Sequence, residues 1–226
     1  MYRNREDAAR RLVKALEDRS FVDPLVLAIP RGGVVLGAIV ARGLHADLDV
    51  VLSRKLRAPN QPELALGAIA EDGQITLNNI GRSLVPHYPG YFNQERERQF
   101  DEIVRRKKLI RRYLPQAPIT RRSVIITDDG IATGSTMLAA LQTVRDQHPQ
   151  ELVIAAPVAA PDRLEEIRPY CDEVCCLQSP ESFYAIGQFY EDFRAVDDEE
   201  IISILRSFTA EKAAEAASRS ELTSSA

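Results

Sequence analysis

The chain has 226 residues, 45% of them hydrophobic and 27% charged, with a formal net charge of −4. That balance suits one α/β domain with some elaboration and supplies no basic footprint for nucleic acid. No apolar run reaches the roughly 18 residues of a membrane span, the opening MYRNREDAARRLVKALEDRS has no signal-peptide core, and Cys171, Cys175 and Cys176 fit neither a disulfide framework nor metal-ligand spacing. The composition therefore points to a cytoplasmic protein with no membrane or nucleic-acid partner, its thiols buried on a strand.

Asn4 and Asp7 open a helix whose apolar line is Ala9, Leu12, Val13 and Leu16, a packing element. Pro24 precedes a short buried strand, Leu25-Val26-Leu27-Ala28-Ile29, which runs into Pro30-Arg31-Gly32-Gly33 and then a helix over 34–44. A strand, a glycine turn and a helix start make a candidate anion site, because the first helical N–H groups lack partners and glycine lets the anion close in. Arg31 can grip a phosphate with two parallel N–H bonds. A plain tight turn with a solvated arginine is the alternative.

Residues 48–52 are the next strand. Arg54 and Lys55 follow it where a polyanion would bind, unless they are a solvated basic turn. Arg57-Ala58-Pro59-Asn60-Gln61-Pro62-Glu63 reads as a polar loop able to close over a site. Residues 64–71 and 74–77, joined by Asp72-Gly73, read as a hairpin. Residues 81–90 have little periodicity. A long charged helix over 93–114 carries Phe100, Ile103, Val104 and Ile110 as its apolar line and turns its arginines and lysines to solvent.

The central stretch is Val124-Ile125-Ile126-Thr127-Asp128-Asp129-Gly130-Ile131-Ala132-Thr133-Gly134-Ser135-Thr136, followed by Met137, Leu138, Leu141 and Val144 at helical spacing. An apolar β-branched run ends in two acids, a small-residue turn follows, and a helix begins. Gly130 and Gly134 permit close backbone approach, and the hydroxyls of Thr133, Ser135 and Thr136 add donors. Asp128 and Asp129 can accept hydrogen bonds from sugar hydroxyls or stand near magnesium. Gly134 is followed by Ser135 and no lysine, which excludes a Walker A loop.

Beyond it, a strand over 152–156 leads through Pro161-Asp162 into a short helix, then a strand over 173–177. The segment 182–193 holds five of the fourteen Phe and Tyr residues. It either packs the last loop against the core or presents Phe183 and Tyr184 to a planar base. Asp197 and Glu200 open a closing helix lined by Ile201, Ile204, Leu205 and Phe208. Residues 209–226 are Ala/Ser/Glu-rich and read as a mobile tail.

VIITDDGIATGST resembles the diphosphoribosyl-binding signature of the type I phosphoribosyltransferases. The resemblance covers roughly residues 20–195 and is sharpest at 28–33 and 124–136. It is similar in particular to a subgroup of unassigned acceptor that carries PRGG, an RKL before a proline-containing loop, and FYxxGxFYEDF. Alternating strands and helices already imply an α/β fold, a parallel twisted sheet with helices on both faces. The resemblance implies one phosphoribosyltransferase-like domain over 1–226, with 60–120 as a small hood insertion, and an enzyme. Such an enzyme moves a 5-phosphoribosyl group from phosphoribosyl diphosphate to an unidentified nitrogen acceptor, nucleobase-like in kind, with Mg2+ as cofactor. By the same resemblance, residues 132–136 (Ala132, Thr133, Gly134, Ser135 and Thr136, entered through Gly130) hold the 5-phosphate. Asp128 and Asp129 hold the ribose hydroxyls and the cationic side of the transition state, meeting magnesium only through substrate or water. Arg31, Gly32 and Gly33 hold the pyrophosphate, Lys55 neutralises the leaving group, and 57–63 stands where the family has its flexible catalytic loop. A non-catalytic sensor of phosphoribosyl diphosphate is the alternative, a nucleotide-activated hydrolase or phosphatase is a weaker one, and a homo-oligomer stays open.

Overall fold

Both faces of the central strands are apolar because both are covered. In the computed structural model, which describes residues 1–224, five strands form one parallel sheet: β1 Leu25–Ala28, β2 Asp47–Val50, β6 Ser123–Thr127, β7 Glu151–Val158 and β8 Glu173–Gln178. Their spatial order is β2-β1-β6-β7-β8, every neighbouring pair parallel. Successive side chains alternate across a strand, so each strand feeds two cores. Val26, Ala28, Val50, Ile125 and Val153 pack under α1 (Arg5–Leu16), α2 (Gly32–Gly43) and α7 (Asp198–Ser224). Leu25, Leu27, Val124, Ile126 and Ile154 pack under α5 (Ser135–Arg145) and α6 (Pro161–Ile167). This is the parallel twisted sheet with helices on both faces that the sequence implies.

The stretch between β2 and β6 builds a second, antiparallel sheet, β3 (Arg54–Ala58), β4 (Gln61–Ile69) and β5 (Ile75–Leu77), followed by α3 (Asn79–Leu84) and α4 (Pro89–Ile110). The β4–β5 hairpin turns at Asp72-Gly73 as its sequence requires, with Gly73 at φ +85°. Residues 57–63, expected as an open loop, are instead the tip of the β3–β4 hairpin. Pro59-Asn60 serves as its turn, since Asn60 adopts φ +59°, which asparagine tolerates. The strand beside the tip is fastened to α4: Arg57 N–H donates to Glu95 Oε1 at 3.1 Å, and the Tyr91 hydroxyl to Ala58 O at 3.2 Å. Helix α3 lies in a stretch that lacked periodicity. Its signal was the cap, where Asn78 Oδ1 accepts from Gly81 N–H at 2.8 Å.

Arg111, just past α4, binds this second layer to the first. Its guanidinium donates to Glu71 Oε1 at 2.8 Å, Glu71 Oε2 at 2.6 Å and Asp49 Oδ1 at 2.5 Å, with all three side chains buried or nearly so. At the other end of the chain, Arg42 pairs with Glu211 at 2.6 Å and the Thr209 hydroxyl donates to Leu205 O at 2.9 Å. The anchored part of α7 thus passes the boundary at 209 drawn from composition. Ser225 and Ala226 lie outside the described residues. No helix among the described residues is long and apolar enough to cross a membrane.

Candidate active site

The double acid leaves β6 at the sheet's carboxyl edge, and its two carboxylates have different fates. Asp129 is buried and paired: Arg5 Nε donates to Asp129 Oδ2 at 2.8 Å. The Arg5 guanidinium is itself held by Arg194 O at 2.7 Å and by the Phe193 ring, whose centroid lies 4.0 Å away. The Tyr190 hydroxyl donates to Asp129 O at 2.7 Å. Asp128 Oδ1 accepts only from the Asp129 N–H, at 2.9 Å, and its residue lines a hollow against the following loop. Burial and the neighbouring Asp129 charge push the Asp128 carboxyl well above the usual carboxylate range. Asp129 is raised by burial too, against the pull of Arg5.

Residues 130–134 are pinned to the end of β7, where Ile131 N–H donates to Val158 O at 2.9 Å and Ala160 N–H to Ile131 O at 3.0 Å. Gly134 then takes φ +71° and starts α5, with no side chain capping the helix. That left-handed conformation is what glycine supplies here. Thr133 and Thr136 are exposed and Ser135 half-buried; Thr133, Gly134 and Thr136 line one hollow of about 130 Å3 at the uncapped start of α5. A second hollow of about 170 Å3 adjoins it, lined by Pro30, Leu52, Ser53, Arg54, Ile103 and Arg106 and sharing Thr136.

The β1 turn closes on the double acid. A Cβ at Gly32 would land on the Asp129 carboxylate, and one at Gly33 would stand 2.8 Å from Thr127 O. These glycines therefore let two loops touch, beyond any approach of a ligand. Gly32→Ala is expected to force the Asp129–Arg5 pair apart and to cost about 1–3 kcal/mol, the usual range for overpacking. Urea unfolding measures it, and an unchanged midpoint would contradict the contact.

Among the other residues singled out in the sequence, Arg31 is exposed at the start of α2. Lys55 lies half-buried on β3 opposite Ala68 and lines neither hollow. Its neighbour Arg54 lines the second hollow, and adjacent strand positions face opposite ways. Tyr184 is 89% exposed, and Phe183 packs on Phe189 with ring centroids 5.2 Å apart. Ile186, not Phe183, lines the first hollow, over Gly130. The rest of the aromatic segment is structural: Tyr190 packs between Tyr2 and Phe193, and Tyr2 and Tyr190 form an isolated parallel bridge outside the strands. Composition hid three participants: Arg5 on a helix read as packing, Tyr190 in a segment read for stacking, and Arg106 on a helix face read as solvated.

Among the described residues, no group of three or more His, Cys, Asp or Glu side chains could hold a metal alone. Asp128 nevertheless fits a cation carried in on a ligand, being an acid on the hollow with no basic side chain hydrogen-bonded to it.

A family model described as "Phosphoribosyl transferase domain" matches residues 2–194. Two curated Mycobacterium tuberculosis relatives, from strains CDC 1551 and H37Rv, carry provisional phosphoribosyl transferase names. Each is 39% identical over 205 residues, 91% of this chain. The chain spans about half their length, 46%. The crystal structure of TT1426 from Thermus thermophilus is 40% identical, with a TM-score of 0.86 over 92% of this chain and 98% of that one.

Proposed function

The chain belongs to the phosphoribosyl transferase domain family, and from that premise we propose that it transfers a 5-phosphoribosyl group from phosphoribosyl diphosphate to a nitrogen acceptor. The observation that carries this reading is the pairing of one ligand-facing acid, Asp128, with an uncapped, hydroxyl-bearing helix start at one sheet edge. In the reaction the C1–O bond breaks and its electron pair leaves on the diphosphate oxygen. The acceptor nitrogen's lone pair forms the C1–N bond, and any proton it carried goes to solvent. C1 gains positive charge between those events, so the protein's task is positioning and charge compensation rather than supplying a nucleophile.

Residues 132–136 hold the 5-phosphate through the α5 N–H groups and the Thr133, Ser135 and Thr136 hydroxyls. Asp128 accepts from the ribose hydroxyls and lies on the side where C1 becomes cationic. Asp129 holds the loop in place through Arg5 and Tyr190 instead of contacting sugar. Arg31 and the β1 turn take the diphosphate, with Arg54 in the role expected of Lys55. Mg2+, when bound with the substrate, neutralises diphosphate charge.

Incubation with Mg2+, phosphoribosyl diphosphate and a panel of nitrogen heterocycles should yield a new nucleotide by mass spectrometry. Tight binding without any product would favour the sensor reading, and release of phosphate or pyrophosphate without acceptor a hydrolase. The phosphate loop is testable without an acceptor. Thr133→Ala and Thr136→Ala should each weaken ribose 5-phosphate by about 1.5–3 kcal/mol, the worth of a hydrogen bond to a charged group. Calorimetry showing full affinity in the double variant would remove the 5-phosphate from this loop.

A further inference from the structure

A third hollow lies where the antiparallel layer meets the back half of α5. Its volume is about 320 Å3, larger than either hollow at the sheet edge and enough for a small organic ligand. Thr76, Leu77, Asn79 and Arg82 line it from the antiparallel layer, and Leu141 and Gln142 line it from α5. Pro169 and Tyr170, the latter 41% exposed, add apolar surface from the turn before β8. Its charged groups differ in what they already hold. Arg145 donates to Asp172 Oδ2 at 3.2 Å and to Tyr170 O at 3.3 Å. Asp146 Oδ2 accepts from the Thr76 hydroxyl at 2.7 Å, a bond that crosses between the layers. Arg82 uses its Nε, toward Leu77 O at 3.3 Å, and among the described residues its two Nη groups have no partner. The side-chain amides of Asn79 and Gln142 and the Oδ1 of Asp146 are likewise unpaired among the described residues.

We propose that this groove binds a nucleoside monophosphate, at a site separate from the phosphate loop. Each part of that ligand has a counterpart in the lining. The Tyr170 ring offers a flat apolar face to a planar base. The Asn79 and Gln142 amides present donors and acceptors to the base edge, and Asp146 Oδ1 accepts from ribose hydroxyls. The two Nη groups of Arg82 make a fork for the phosphate. Inorganic phosphate would leave the ring and amides idle, and a nucleoside would leave the arginine idle. Gln142 stands six residues past Thr136, roughly 9 Å along α5. An occupant therefore touches both the helix that begins at the phosphate loop and the layer that covers the catalytic edge. Transfer to a nucleobase-like acceptor makes a nucleotide of this class, so the groove would sense product; that consequence rests on the transfer reading, whereas the site does not.

Equilibrium dialysis with AMP, GMP, CMP and UMP in turn, with and without saturating ribose 5-phosphate, tests this. At least one of the four should bind twice per chain, one copy displaced by ribose 5-phosphate and one retained. Arg82→Gln should weaken the retained copy about 10- to 100-fold, as loss of hydrogen bonds to a charged group does. Tyr170→Ala should weaken it about 5- to 100-fold, and Tyr170→Phe should keep it. Both side chains are exposed, so melting temperatures should stay at the parent value. No retained copy of any of the four, or a retained copy indifferent to Arg82→Gln, would overturn the site. So would the parent nucleoside or inorganic phosphate binding there as tightly as the nucleotide. Failure of the transfer reading shows differently: one copy would bind per chain, insensitive to ribose 5-phosphate and still weakened by Arg82→Gln.

Discussion

Asp128→Asn is expected to lower turnover by about 10²–10³-fold, the usual loss when one preorganised group facing transition-state charge is removed, and to make the folded protein more stable at pH 7. The amide keeps the shape and can still accept from the Asp129 N–H. It removes the negative charge that strengthens as C1 becomes cationic, so turnover should fall further than substrate affinity. The stability gain follows from the raised carboxyl of Asp128. Between the ordinary carboxylate value and that raised one, the native chain holds a proton that the unfolded chain has released. Stability therefore declines as pH climbs through this window, and the penalty is complete above it. Asparagine has no such proton. Urea melts across pH should show the decline in the parent and a flatter profile in the variant. Equal losses of turnover and affinity, or a variant less stable at pH 7, would remove Asp128 from this role.

Arg111→Leu is expected to cost about 3–5 kcal/mol, the range for leaving a buried charge without its partner. Asp49 is 2% exposed and loses its paired cation, whereas Glu71, 8% exposed, keeps Lys107 at 3.7 Å. Burial already raises the Asp49 carboxyl with the guanidinium beside it. Without it the native state takes up a proton at Asp49 more readily, so the loss should shrink at low pH, where that carboxyl is neutral. Replacing the carboxylates as well, by Asp49→Leu and Glu71→Met, should return much of the stability, because apolar groups of similar volume carry no desolvation cost. A single-variant loss below about 1 kcal/mol would show that water reaches the cluster, as at exposed pairs.

Legibility followed the reach of each interaction. β6, its acids and the start of α5 are one contiguous stretch, so hydrophobicity, turn chemistry and helical spacing agree within it. The strand, glycine turn and helix start at 30–33 were visible for the same reason. Arg5 was not, because its partner Asp129 lies 124 residues away and nothing in its own helix marks it. Arg106 was half-legible. Arg98 and Arg105 have acids three residues earlier, Glu95 and Glu102, and both arginines stay largely exposed, although Glu95 itself is buried. Arg106 stands in register with Ile103 and Ile110, and that phase could have separated it from them. The 57–63 stretch misled because a proline-bearing polar run describes a hairpin tip as well as a loop, and only pairing across the strands decides between them.

The meeting of Tyr2 with Tyr190 has a consequence for the order in which the protein matures during synthesis. Tyr2 N–H donates to Phe189 O at 2.8 Å, Glu191 N–H to Tyr2 O at 2.8 Å, and Arg5 reaches both Asp129 and Arg194 O. The brace behind Asp129 therefore joins residues 2–5 with residues 189–194, which leave the ribosome much later. At roughly 5–20 residues per second, about 10–40 s separate residue 5 from residue 194. For about the last 3–12 s of it, after Thr136 has been added, a nascent chain can carry the complete 130–136 loop and still lack the brace that orients it. Ribosome-stalled chains ending near residue 180 should bind ribose 5-phosphate poorly, whereas chains with residue 194 clear of the exit tunnel should bind it fully.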